Sequence, residues 1–435
     1  MKKIMYSALV LCSNFALQAQ SIDKIINVKK VTEVEKILAA DDMQGRRAFT
    51  PGIDKASSYI ETEFKKIGLQ TLNGAKDYKQ SFFMTESQRK TATVTIDGKE
   101  ISTDAIVSFS YQPQFSFSNE SEMEIVKIKA GDKFGPKFYE YYRSDKNLLV
   151  LVDASFEKFM SNIKHMNQMA ATPSTNTVVF VFGVTDATTF KVDGTNEVVK
   201  KALNNVVGVL KGKTKPNEYV IFSGHYDHLG IGSPQEGEKH GSTDSIYNGA
   251  NDDAAGTTAV MILAEYFKKL NNNERSIIFT AFVAEEIGGY GSQHFSKQLN
   301  PDEVAAMFNL EMIGTDSKWG NNSAYITGFE KSSMGAILQK NLEGSAFKFY
   351  PDPYPEQQLF YRSDNATLAR LGVPAHTIST SKMDNEPNYH KASDEIGTLD
   401  MVNMTEIIKA IAISASSIIS GKDTPTRVDT TALRK

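Results

Sequence analysis

Between Val31 and Leu69 the apolar positions recur every three or four residues, with Ala56, Tyr59, Ile60, Phe64 and Ile67 on one stripe and Gly68 at its end. That spacing predicts an amphipathic helical start. From about Thr91 to Val192 the pattern shortens to β-branched and aromatic runs, Ala92 to Ile96, Leu148 to Val152 and Thr177 to Val184. Polar turns separate them, with one predicted helix near Phe156 to Met166. From Asn204 onward strand-like and helical runs alternate: Asn204 to Leu210, Tyr219 to Ser223, a helix over about Gly256 to Leu270, Ile277 to Ala284, Val304 to Leu310 and Ala324 to Thr327. Such alternation predicts an α/β fold, a mostly parallel or mixed sheet covered by helices on both faces. Within the helix at 256–270, Ala259, Val260, Leu263, Tyr266, Phe267 and Leu270 repeat at intervals of three and four and read as core packing. There are no internal repeats and no low-complexity segments.

The N-terminus changes the picture of the compartment. Lys2 and Lys3 precede an apolar run from Ile4 to Leu17 and a small-residue exit at Ala19. This pattern predicts a secretory signal peptide over 1–19 and an exported chain, in the periplasm, on the cell surface or in the medium. About 415 residues then remain, enough for two domains or for one large domain with an insertion at roughly 100 to 200 residues each. The expected division is 20–90 for the N-terminal part of the main domain, 91–195 for a mostly β insertion and 196–425 for the rest of the main domain. No later stretch reads as long enough to cross a bilayer. The only cysteine, Cys12, lies in the leader, so the mature chain has no disulfide framework, cysteine nucleophile or thiolate metal site. A net charge of −4, with both signs dispersed along the chain, gives no case for nucleic acid or anionic membranes and leaves peptides or small molecules as partners. The pattern says nothing about oligomeric state.

Open α/β sheets gather ligands beyond the carboxyl ends of their strands. Three predicted strands end in metal-type ligands. Tyr219 to Ser223 runs into Gly224-His225-Tyr226-Asp227-His228, Ile277 to Ala284 into Glu285-Glu286, and Val304 to Leu310 into Glu311. The acidic loop Asn248 to Gly256 contributes Asp252 and Asp253, and Tyr389-His390 follows in a later polar loop. Each fragment alone is weak, but together they match the nitrogen and oxygen donors that zinc takes. One ion with a free water position needs about three protein ligands, so His225, Asp252, Glu286, Glu311 and His390 suit two ions sharing a bridging carboxylate. A base that is not itself a ligand is then required, and Glu285 is placed for it if neighbouring side chains of an extended segment face opposite ways. His165, alone in a helical stretch, reads as a surface or structural residue.

These motifs resemble peptidase family M28, the co-catalytic zinc aminopeptidases and carboxypeptidases, from about Asn204 to Asp400. Leu38 to Arg47 is also similar to the N-terminal part of such enzymes. The resemblance implies a three-layer zinc-peptidase fold, with a protease-associated or lid domain as the insertion. It implies two Zn2+, one on His225 and Glu311, the other on Glu286 and His390, with Asp252 bridging and Glu285 as general base acting on a metal-activated water. It further implies Asp227 as the acid that accepts the other ring N–H of His225, a cis peptide before Asp253, and Tyr389 as a stabiliser of the oxyanion. Many relatives carry aspartate where this chain has Glu311, which changes reach but not donor type. Arg362 and His228 are candidate substrate-binding residues, since a pocket arginine suits a free substrate carboxylate. The implied activity is that of an exopeptidase, first an aminopeptidase. The alternatives are a carboxypeptidase or dipeptidase, a one-zinc glutaminyl cyclase-like acyltransferase and, least of all, a non-catalytic binding module.

Overall fold

The computed structural model describes residues 22–166, 168–232 and 244–431. The expected leader at 1–19 lies outside these residues. Two compact units divide the described chain: one runs through Phe82 and resumes at Leu203, and the other comprises Phe83 to Ala202.

In the first unit, the helical start forms two helices, α1 (Val28–Leu38) and α2 (Pro51–Ile67), where the spacing predicts a single helical stretch. The break has a backbone cause. Gln44, Gly45 and Arg46 all take positive φ, which a right-handed helix cannot contain. At Gly45 a Cβ would fall 2.5 Å from the carbonyl oxygen of Tyr247, so only glycine fits. α2 ends at Gly68 in the left-handed conformation, and its Ala56, Ile60 and Phe64 are buried, while Tyr59 and Ile67 are half-buried.

The strands are β1 (Phe190–Leu210, which belongs to this unit from Leu203 onward), β2 (Lys215–His225), β3 (Arg275–Phe282), β4 (Val304–Leu310), β5 (Ser323–Ile326), β6 (Lys348–Pro351) and β7 (Ala375–Ser379). Their order across the unit is β6-β5-β7-β4-β2-β3-β1. β2 pairs parallel with β3 and β4, and β4 with β7, while β1 against β3 and β5 against β7 are antiparallel. The sheet is therefore mixed. Alternation along the strands feeds two cores. Phe222, Phe279 and Phe308 stack side by side and meet Phe267 of α3 (Ala255–Leu270) on one face. Ile221, Ile278 and Met307 face the opposite way, toward Phe295 and Leu368. Helices thus cover both faces, as the α/β reading expects.

The sequence reading finds no later stretch of membrane-span length, and the structure corrects this. Met401–Ile419 is a helical run long and apolar enough by length and composition, and most of it is buried. Its Ile407, Ile408 and Ile411 are core residues, which accounts for the hydropathy without a bilayer.

The second unit holds a four-stranded sheet in the order Ile106–Ser110, Thr177–Phe182, Leu148–Val152, Glu124–Ile128, the first pair antiparallel and the others parallel. A helix at Phe134–Tyr142, absent from the sequence reading, lays Phe134 and Phe138 against Val150 and Phe180. Its aromatic residues at intervals of three and four were legible as a helix stripe, but their β propensity masks it. His165 caps a five-residue helix, Met160–Lys164, and is exposed.

Candidate metal centre

Strand register sets the site. His225 pairs across from Phe282, and Ser223 from Asn309, so β2, β3 and β4 end at one edge of the sheet. His225 is the last residue of β2, the glutamate pair follows β3 and Glu311 follows β4. The Asp252–Asp253 peptide is cis, as the resemblance implies. Asp253 is fully buried and accepts N–H bonds from His225 at 3.1 Å and from Gly256 and Met312 at 3.0 Å, so it ties the acidic loop to β2 and β4.

Around Asp252 the donors converge. Its Oδ1 lies 3.2 Å from His225 Nε2, and its Oδ2 lies 3.3 Å from His390 Nε2. His390 Nε2 is also 3.2 Å from Glu286 Oε2. The Nδ1–H of His225 donates to the carbonyl of Asp227 at 3.1 Å, which leaves Nε2 as the free lone pair aimed at Asp252. The resemblance gives that bond to the Asp227 carboxylate; the structure gives it to the backbone, with the carboxylate 3.8 Å away. The carboxylate instead accepts the N–H of Glu285 at 3.1 Å and of Glu286 at 3.4 Å. This replaces the extended-segment argument for those two residues. β3 ends at Phe282, Ala284 takes positive φ, and Gly288 and Gly289 close a turn on the carbonyl of Glu285 at 2.9 and 3.0 Å.

Asp252, Glu285, Glu286, Glu311, Tyr389 and His390 line one cavity of about 100 Å3, and among the described residues Arg362 is the only lysine or arginine on its wall. Tyr389 stacks on the His390 ring with centroids 3.9 Å apart. Arg362 is exposed and donates to the neutral Gln357 at 3.2 Å. His228 is not on that wall. It is buried, its Nδ1–H donating to Glu286 Oε1 at 2.7 Å, so the structure sets it against Glu286, where the sequence reading counts it as a candidate substrate-binding residue. One ring nitrogen of His228 also lies within 4.8 Å of a carboxylate oxygen of Asp252 and one of Glu286, a group that could hold a metal ion if that nitrogen carried no proton.

Residues 205–414 match the model of peptidase family M28. Through that stretch the chain belongs to peptidase family M28. A probable zinc metalloprotease of Pyrenophora teres f. teres is 34% identical over 129 residues, 28% of this chain and 26% of that protein. An aminopeptidase of Bacillus subtilis is 33% identical over 115 residues, 26% of this chain and 22% of that protein. The match thus spans about a quarter of the length of these curated relatives. Among solved structures, an aminopeptidase from Aneurinibacillus sp. strain AM-1 shares the fold, with a TM-score of 0.53 at 18% identity over 92% of this chain and 95% of that one.

The residues themselves suit the divalent cations of such a family. His225 Nε2 is buried and faces Asp252 Oδ1 at 3.2 Å, so with Nδ1–H already donated a neutral ring sets its lone pair against a carboxylate, an arrangement that a cation between them would satisfy. Burial and then surrounding carboxylates push Glu285 well above the usual carboxylate range, and burial, with Asp252 adding to it, raises Glu311 to about 7. Burial disfavours a charged His390, yet Asp252 and Glu286 hold it up to about 10. Protons thus sit where positive charge is wanted, and bound metal would displace them.

Three further residues escaped the sequence reading. Asp394 accepts the N–H of Asn251 at 2.9 Å and of Asp252 at 3.0 Å, which aims the central carboxylate. Arg46, fully buried, donates to the carbonyls of Leu38 at 2.7 Å and of Tyr226 and Gly249 at 2.9 Å, so it clamps the acidic loop to β2. Asp364, buried and raised to about 6 by that burial, adds to the negative charge around Glu285 and Glu311.

Proposed function

We propose that the chain is an exported di-zinc exopeptidase, an aminopeptidase first, with peptides as substrates and Glu285 as general base. The observation that carries this reading is the convergence of His225, Asp252, Glu286 and His390 at one strand edge, with Glu285 and Glu311 on the same cavity wall. His225 and Glu311 would hold one zinc and Glu286 and His390 the other, with Asp252 between them. Zinc held there would acidify water and polarise the scissile carbonyl. The remaining work falls to the chain. Asp227 fixes the backbone of Glu285, whose raised affinity for protons lets it take one from the attacking water and return it to the departing amine. Burial and the neighbouring carboxylates keep the Tyr389 hydroxyl protonated, so it can donate to the oxygen on which negative charge develops.

Arg362 decides how the far end of a short peptide is received. An exposed guanidinium whose hydrogen-bond partner among the described residues is the neutral Gln357 can pair with a substrate carboxylate. An aminopeptidase cleaves dipeptides with a free amine and spares N-blocked ones. Arg362→Gln then raises KM roughly fivefold for dipeptides with a free carboxylate and leaves their amides unchanged, the size expected of an exposed ion pair. Cleavage of N-blocked but not C-blocked dipeptides, read by mass, would make the enzyme a carboxypeptidase instead. Cyclisation of an N-terminal glutamine without hydrolysis would favour the acyltransferase reading.

Export rests on Lys2, Lys3, the run Ile4 to Leu17 and Ala19. N-terminal sequencing of the mature protein should begin near Gln20, and an intact Met1 would remove the proposal.

A further inference from the structure

A glutamate has one more rotatable bond than an aspartate, so at a metal centre it has more ways to miss the ion. Around Glu311 the chain removes that freedom. Its backbone N–H donates to the carbonyl of Ile378 at 3.2 Å, and Met312 beyond it takes positive φ, so the main chain is held where it leaves β4. Asn309, buried, stands two residues earlier on β4. Its Oδ1 accepts the Ser223 hydroxyl at 2.7 Å, which orients the amide. Its Nδ2 donates to Ser363 Oγ at 2.7 Å, with longer contacts to Thr377 Oγ1 at 3.2 Å and to Glu311 Oε2 at 3.4 Å. Because Ser363 Oγ accepts from Asn309, its own proton is left to donate. Ser363 lines the cavity with Glu311, and hydrogen bonding from Ser363 opposes the burial that raises the Glu311 carboxyl. Ser223 lies two residues before His225 and pairs in register with Asn309, so the Ser223–Asn309 bond ties together the two strands that carry His225 and Glu311.

We propose that Asn309 and Ser363 are positioning residues for Glu311, which hold its carboxylate at the cavity wall and so set the affinity of the zinc that Glu311 would share with His225, an assignment that rests on the di-zinc reading. A carboxylate that must be ordered when the ion arrives gives up affinity, and one already held does not. Both donors are neutral. They fix the carboxylate without offsetting the negative charge that attracts a cation, as a lysine or arginine in their place would do. The two differ in what else they hold. Asn309 also joins β2 to β4, whereas Ser363 is half-buried on the cavity wall, so its hydroxyl can be removed with the strands left in place.

Zinc binding to the full chain, stripped of metal and titrated in competition with a chromophoric chelator, tests this without recourse to peptide hydrolysis. Wild type should take up two zinc ions. Ser363→Ala should raise the dissociation constant of one of them about tenfold, as removal of a partner of a metal ligand does, and leave the other within about twofold. A variant that had merely unfolded would lose both. Ser363→Thr keeps the hydroxyl and should restore the wild-type value. Glu311→Ala identifies the ion concerned: it should weaken the same zinc further, and Ser363→Ala added to it should change nothing more, as for two residues that act through one contact. Unchanged zinc binding in Ser363→Ala, equal weakening of both ions, or a defect that threonine leaves unrepaired overturns the inference while the di-zinc reading stands. A wild type that saturates at one zinc overturns that reading, and the inference with it.

Discussion

Glu285→Gln should lower kcat/KM for an unblocked dipeptide by roughly a thousandfold, within the range of about 10² to 10⁴ that general acid–base catalysis supplies, and leave the zinc content unchanged. The substitution keeps the size of the side chain, and the backbone N–H of residue 285 still donates to Asp227. What it removes is the carboxylate that receives and returns a proton. Because the four converging donors, His225, Asp252, Glu286 and His390, are untouched, metal content separates a lost base from a lost centre. Hydrolysis undiminished in the variant would exclude Glu285 as the base. Activity and zinc lost together would make it a ligand.

Stripped of zinc, the chain should lose thermal stability as pH rises from about 5 to about 7, and zinc should restore it. The sign follows from the buried acids. Burial raises Asp227 from 3.8 to about 7, Asp364 from 3.8 to about 6 and Glu311 from 4.5 to about 7. Across that window the folded chain holds protons that the unfolded chain has released, so stability falls as pH rises. His390 acts in the same direction at higher pH, since its stabilising charge is lost as pH climbs from the ordinary histidine value of 6.5 toward about 10. Asp252 opposes them only in acid: its depressed pKa makes its contribution complete above about pH 5. A cation that binds only the folded state adds about 2.7 kcal/mol at a hundred times its dissociation constant, and it replaces the protons on Glu311 and His390. Melting temperature against pH, with and without added zinc, measures both effects. A metal-free chain whose melting temperature is flat or rises over this window would refute the charge balance described for the site.

Much of this protein was legible in local pattern. The three- and four-residue spacing over 256–270 is the helix α3, and the apolar runs ending at Ser223 and Leu310 are strands because side-chain alternation and burial act within a few residues of each other. The metal-type ligands were visible for the same reason: His225 ends a strand, the glutamate pair and Glu311 each follow one, and strand ends in parallel neighbours share an edge. Local pattern also misled where backbone conformation, not hydropathy, decides. Positive φ at Gln44 to Arg46 split one predicted helical stretch into two, and positive φ at Ala284 turned the glutamate pair out of the strand. Only the tertiary structure decided which groups hold the candidate ligands in place. Asp394 reaches the backbone of Asp252 across 142 residues, and Arg46 reaches Gly249 across 203. Their partners are main-chain N–H and C=O groups, which every residue carries, so no residue type in the sequence marks the positions they bind.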